Sequence, residues 1–109
     1  EARLYAEDPE SLLPCPGHLS VFRVPDMDSV RFEASYREGD TVTPYYDPLL
    51  AKVIGKGATR EAAIARTLIA LRAMEVKGVK TNAPLLCRIL ESARFIEAKL
   101  DTAFIGDLL

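Results

Sequence analysis

A single histidine and two cysteines in 109 residues leave this chain little of the usual catalytic equipment. His18 lies beside Gly17 with no partner in view, so a solvated or locally hydrogen-bonded ring is expected rather than a catalytic one. Cys15 and Cys87 stand far apart, with no further thiol or histidine at ligand spacing. That pattern predicts no metal site and the inert, reduced thiols of a cytoplasmic chain. Basic residues are not in excess: 14 Lys and Arg against 16 Asp and Glu give a formal charge of −2. No nucleic-acid partner is expected, because such binding needs a basic stripe to displace phosphate counterions. No apolar run approaches the ~18 residues of a membrane span, and no signal-type segment opens the chain, so no membrane partner is expected either. Gly55-Lys56-Gly57 lacks the spacing and the Ser or Thr of a phosphate loop and reads as a turn. No serine sits in a nucleophile elbow, and no carboxylate pair stands at helical spacing with a histidine. These residues by themselves do not compose an active site.

What is present is an ordinary globular composition, 49% apolar and 28% charged, sufficient for one domain over residues 1–109. The chain starts at Glu1, without methionine and inside a strand-like stretch, which predicts a piece of a longer polypeptide. Alternation predicts strands over Ala2–Ala6, Leu19–Val24, Val30–Tyr36, Thr41–Tyr46 and Leu49–Ile54. Short connections suggest antiparallel hairpin neighbours. Pro9–Leu13 reads as a helical turn, and Pro14-Cys15-Pro16-Gly17 as a loop. The period then changes. Thr59 is the expected cap of a helix carrying Ile64, Leu68 and Leu71, with Glu61 in its first turn. Gly78 is expected just past that helix, after a frayed turn over residues 75–77. A second helix is expected from Thr81 or Asn82, where Pro84 is tolerated, with Leu85, Leu86, Ile89 and Leu90 as its apolar stripe. The tail from Phe95 onward reads as a short strand and helical turns. The fold class is therefore α+β, a small antiparallel sheet followed by packed helices.

Two features do not fit a purely structural reading. Arg3 shares a strand face with Tyr5, opposite Leu4, where a guanidinium can reach a neighbouring domain. Tyr45-Tyr46-Asp47-Pro48 crowds aromatics and a carboxylate into a strand junction, where Asp before Pro commonly satisfies backbone groups of the turn.

Several stretches, in order, resemble the C-terminal domain of biotin carboxylase, the ATP-grasp component of biotin-dependent carboxylases. They are Glu1-Ala2-Arg3-Leu4-Tyr5-Ala6-Glu7-Asp8-Pro9, Leu13-Pro14-Cys15-Pro16-Gly17 (serine being commoner at Cys15) and Val30-Arg31-Phe32-Glu33. Further along come Tyr45-Tyr46-Asp47-Pro48-Leu49-Leu50-Ala51-Lys52, Gly78-Val79-Lys80-Thr81-Asn82 and Asp101-Thr102-Ala103-Phe104-Ile105. The resemblance implies a ligase that uses ATP, Mg2+ and bicarbonate to make carboxyphosphate, whose carbon dioxide is captured by a deprotonated biotin ureido nitrogen. It implies that most of that machinery belongs to ATP-grasp and N-terminal domains of the same polypeptide, leaving this domain inactive alone. Arg3 matches a catalytic arginine beside bicarbonate and the biotin ureido oxygen. A guanidinium is permanently charged and donates in a planar fork, which suits developing negative charge. Phe104 matches an apolar residue against the adenine of ATP, and Arg31 a homodimer-interface position. Asp47 and Lys52 are read as supports of the sheet. A biotinyl carrier domain and a carboxyltransferase are the implied partners. The parent expected is an acetyl-CoA or other acyl-CoA carboxylase, as in fatty acid biosynthesis. The alternatives are a pyruvate or urea carboxylase, or a non-catalytic assembly and dimerisation module.

Overall fold

In the computed structural model, which describes residues 1–108, the alternation of the opening stretch becomes strand β1, Ala2–Tyr5. Ala2 and Leu4 are buried and Arg3 faces outward. The strands that follow are β2 (Gly17–His18), β3 (Val21–Arg23), β4 (Val30–Ala34), β5 (Thr41–Val42) and β6 (Leu49–Gly55). Helix α1 (Arg60–Ala73) leads to a further strand, β7 (Glu75–Lys77), then to helices α2 (Ala83–Glu91), α3 (Ala93–Ile96) and α4 (Phe104–Leu108). The class is α+β, with every strand pair antiparallel.

The strands pair out of sequence order, not as successive hairpins. A three-stranded sheet runs β1-β6-β4, while β2 pairs with β5 and β3 with β7. Strand β6 takes the centre because Leu50, Ala51 and Val53, each 0% exposed, make it the most apolar strand of the chain. Residues 75–77 are a strand and not a frayed turn of α1. Met74, in extended conformation, ends the helix, and Val76 turns inward between exposed Glu75 and Lys77. Strand β5 is shorter than expected, since Pro44, without an amide proton, is followed by a turn. The tail forms helical turns with no strand among the described residues.

Thr59 caps α1 as its sequence predicts, accepting the Ala62 N–H at 3.1 Å. The most buried positions of that helix are Thr67, Ala70 and Leu71, and Ile69 is exposed. Small side chains at the contact let α1 lie close to β6. A Cβ on Gly55 would fall 2.1 Å from the Thr67 hydroxyl, so the end of β6 accommodates only glycine at this separation.

Two apolar clusters fill the interior. One joins Ala2, Val30, Val53, Ala70, Leu71 and Leu90. The other joins Leu4, Ala6, Leu19, Val42 and Leu50. The opening segment contributes to both, Ala2 to the first and Leu4 with Ala6 to the second, so the strand carrying Arg3 is anchored along its length.

Candidate functional site

The outer face of the three-stranded sheet is a charged surface. Register sets Arg3 of β1 opposite Lys52 of β6, and Lys52 opposite Glu33 of β4. Arg3 therefore has a second cation beside it in the same cross-strand row. Its side chain is 52% exposed, and its Nε lies 3.1 Å from the Glu1 carboxylate. That contact draws the Glu1 carboxyl below the usual range and holds the Arg3 guanidinium more firmly charged, with Tyr5 on the same face adding to the second effect. An exposed pair of this kind contributes little to stability, so an incoming anion can replace Glu1 at small cost.

Beneath the half-exposed side chain of Arg3 the backbone is held on both edges. One edge pairs with β6. On the other, Asn82 accepts the Tyr5 N–H through Oδ1 at 2.8 Å and donates Nδ2 to the Arg3 carbonyl at 3.1 Å. Asn82 occupies the position before α2, where sequence reading assigns it to a helix start. Its side chain makes no cap hydrogen bond there and is spent on β1 instead. Nothing local in the sequence signals this; Asn82 and Arg3 are 79 positions apart.

The same region gathers other motif residues. Asp8 accepts the N–H groups of Glu10 and Ser11 at 2.8 and 3.2 Å, closing the single turn that follows β1. The Lys80 N–H points to the Cys15 sulfur at 3.4 Å. Gly78, at φ 104°, passes so close to the β2–β3 turn that a Cβ would strike the His18 carbonyl at 1.7 Å. The segments around Arg3, Cys15 and Gly78 thus form one packed unit under β1.

The remaining sequence-derived residues lie elsewhere. Arg31 is on β4, on the same outer face as Arg3, and pairs with Glu33 at 3.0 Å. Phe104 is 6% exposed, with the Arg94 guanidinium 5.1 Å above its ring. Arg94 is in turn fastened to Asp107 at 2.8 Å and Asp101 at 3.3 Å. Asp47 accepts the Leu49 N–H at 2.9 Å, and its carbonyl accepts from the Tyr36 hydroxyl at 3.3 Å, so it shapes the turn into β6. His18 is exposed, 3.5 Å from the Thr41 hydroxyl.

The chain's own residues do not fit a nucleotide–metal centre. Among the described residues no three His, Cys, Asp or Glu side chains stand together as a ligand set. The loop after Gly55 is packed against α1, with the Lys56 carbonyl accepting from Arg66 at 2.7 Å, and offers no phosphate cradle. A cleft of about 440 Å³ between the helices is lined mainly by Ile64, Leu68, Leu90 and Ile96, with Glu61 and Glu91 at its rim, and holds no nucleophile or base constellation. What the site offers is one firmly charged, half-exposed guanidinium on a rigid strand. No helix among the described residues is long and apolar enough to cross a membrane.

An α+β domain of small antiparallel sheets, presenting an arginine on an open sheet face, is the class that fold and site define. The chain belongs to the biotin carboxylase C-terminal domain family, matching it over residues 1–107. It is 45% identical to Biotin carboxylase 2 of Bacillus subtilis over 96% of its own length and 24% of that protein's. It is 38% identical to the mitochondrial methylcrotonoyl-CoA carboxylase subunit alpha of Oryza sativa, covering 96% of this chain and 14% of that one. The structure superposes on the biotin carboxylase domain dimer of Hydrogenobacter thermophilus 2-oxoglutarate carboxylase, described with MgADP, ADP and bicarbonate. The TM-score is 0.93 at 36% identity, over 97% of this chain and 24% of that one. On Rhizobium etli pyruvate carboxylase the TM-score is 0.92 at 33% identity, over 96% of this chain and 11% of that one. The chain thus spans about a quarter or less of these relatives. Their names differ in the molecule that is carboxylated, so membership in the family does not select one.

Proposed function

We propose that this domain works within a longer biotin-dependent carboxylase polypeptide, where it supplies Arg3 to an active site completed by other domains. The observation that carries this reading is the contrast within one residue: the Arg3 backbone is tied on both edges of β1, while its guanidinium stands half-exposed beside Lys52. In the reaction, the terminal phosphoryl group of ATP passes to bicarbonate, leaving ADP. The carboxyphosphate then breaks to carbon dioxide and phosphate. A base removes the ureido proton of biotin, and the nitrogen bonds to the carbon dioxide. Negative charge gathers on bicarbonate oxygens and on the ureido oxygen along this course. A guanidinium held at that point stabilises the charged transition state more than the neutral ring.

ATP and Mg2+ are assigned mainly to the other domains, with Phe104 as the contact this domain would offer the adenine. An adenine contact at Phe104 requires the packing around it to open, since the ring is buried with Arg94 over one face. The biotinyl carrier domain and a carboxyltransferase are the partners this reading requires. The acceptor is then chosen by the carboxyltransferase, whether acetyl-CoA or another acyl-CoA, pyruvate or urea, and the compartment by the host polypeptide.

The test is bicarbonate-dependent ATP cleavage with free biotin. The isolated chain is expected to show no turnover, and Arg3→Ala in the full-length polypeptide is expected to lower the carboxylation rate by more than ~100-fold, the scale of removing one preorganised donor. A loss below about threefold returns Arg3 to the ordinary surface.

A second reading, assembly through the β4 face, is favoured by the exposed Arg31–Glu33 pair and by the dimer named for the Hydrogenobacter relative. Arg31→Glu would place two acidic groups where the pair stood and break a dimer formed there. Sedimentation of the full-length protein at matched concentration decides between a broken dimer and an unchanged one.

A further inference from the structure

We infer that Asn82 is the positioning residue for Arg3, fixing the strand from which the guanidinium reaches; this rests on the proposed role of Arg3. Asn82 is 6% exposed and packed at the start of α2. Its Oδ1 accepts from Tyr5, its Nδ2 donates to the Arg3 carbonyl, and its own N–H donates to the Tyr5 carbonyl at 3.2 Å. One residue therefore replaces a neighbouring strand along the edge of β1 that β6 does not cover. The amide can sit only one way round, because reversing it would set NH2 against N–H and oxygen against oxygen.

An amide is also what the position requires. A carboxylate has no donor for the Arg3 carbonyl, alanine has neither group, and glutamine is one methylene too long for the same span. Anchoring matters to an arginine in this setting because its value lies in where its fork is aimed, and a displacement of about 1 Å at a reacting group costs on the order of 100-fold. Arg3 has no fully buried side-chain partner to aim it, since its Glu1 contact is exposed and Tyr5 is only half-buried. The aim comes from the backbone, and on one edge of the backbone it comes from Asn82.

The experiment is a double-mutant cycle on the full-length polypeptide carrying this domain, with Asn82→Ala, Arg3→Ala and both together, at equal concentrations of folded protein. Rates of biotin carboxylation and KM for ATP are measured. Asn82→Ala is expected to lower kcat by about tenfold or more with KM for ATP unchanged. In the Arg3→Ala background it is expected to add less than about twofold, because its effect passes through Arg3. An equal loss in both backgrounds, or a loss below about twofold in the parent, overturns the inference while leaving Arg3 in place. A small effect of Arg3→Ala alone instead removes the reading on which the inference stands. Where Asn82→Ala does not fold, Asn82→Asp runs the same cycle, keeping the acceptor for Tyr5 while setting a carboxylate oxygen in place of the donor to the Arg3 carbonyl. Failure of both to fold makes Asn82 a purely structural residue and overturns the inference.

Discussion

The Lys80 ammonium lies 3.3 Å from the Asp8 carboxylate, although 72 positions separate the two residues. Asp8 closes the turn that leaves β1, and Lys80 precedes Asn82 on the segment that returns to it. The pair ties the first motif of the sequence to a late one at the strand that carries Arg3. Motifs that look independent along the chain are thus parts of one mount.

Asp8 and Glu7 are expected to move stability in opposite directions with pH. The Glu10 and Ser11 N–H groups, and then Lys80, hold the Asp8 carboxyl below its ordinary value of 3.8. A lowered native value stabilises the fold above the unfolded one, and that stabilisation is lost as pH falls through the native value. Asp8→Ala should therefore melt earlier than the parent at pH 7, with the gap narrowing below pH 3.8 and closing once the native carboxyl is protonated. Burial raises Glu7 above 4.5, so its charged form opposes folding at neutral pH. Glu7→Gln should melt later at pH 7 and lose that advantage in acid. Thermal melts across pH check both, and a fixed Asp8→Ala gap at all pH values would remove the electrostatic explanation.

Leu4 is 1% exposed, whereas Leu13 is 64% exposed. Leu4→Ala is expected to cost about 2–5 kcal/mol, from lost transfer energy and the cavity left between β1, β6 and α2. Leu13→Ala should stay within about 0.5 kcal/mol. Urea unfolding of the two variants measures the contrast; equal midpoints would mean that the second core cluster does not anchor β1.

Gly55→Ala drives a methyl group into the Thr67 hydroxyl, 2.1 Å from the Cβ position, and against the Ala63 carbonyl at 2.9 Å. Overpacking of this kind costs about 1–3 kcal/mol. Adding Thr67→Ala should return part of the loss, because the nearest obstacle is removed while the carbonyl remains. Strict additivity in the double variant would show that the two positions do not share one space.

Burial pushes the Cys87 thiol above its ordinary value. At pH 7–8 its thiolate fraction, and so its rate with a disulfide reagent, should fall below that of an unfolded thiol. In a Cys15→Ser background, which isolates Cys87, reaction should be slow in buffer and rise sharply in denaturant. An equally fast reaction in both would place Cys87 on the open surface.

Much of the local structure was legible in the chain. Thr59 marked the start of α1, Leu4 marked the face of β1 opposite Arg3 and Tyr5, and the change of period after Gly57 separated sheet from helices. Strand β7 was not legible, because the single inward residue Val76 is too little to establish a period, and its pairing with β3 is a long-range choice. The order β1-β6-β4 escaped for a related reason: short turns suggest neighbours, but burial of β6 on both edges outweighs them. Arg3 was found through its motif. Asn82 lay in a recognised motif as well, yet its sequence context points to a helix cap.

Residue order alone determined that this chain is α+β, that Arg3 faces away from Leu4, and that its motifs match one family. Those facts follow from side-chain period, capping chemistry and ordered short patterns, all of which are local. The tertiary structure alone decided that Arg3 stands beside Lys52 and is braced by Asn82. The reason is physical. An amide joins whichever unpaired backbone edge the folded cores bring within about 3 Å, and that edge exists only after β1, β6 and α2 have packed together.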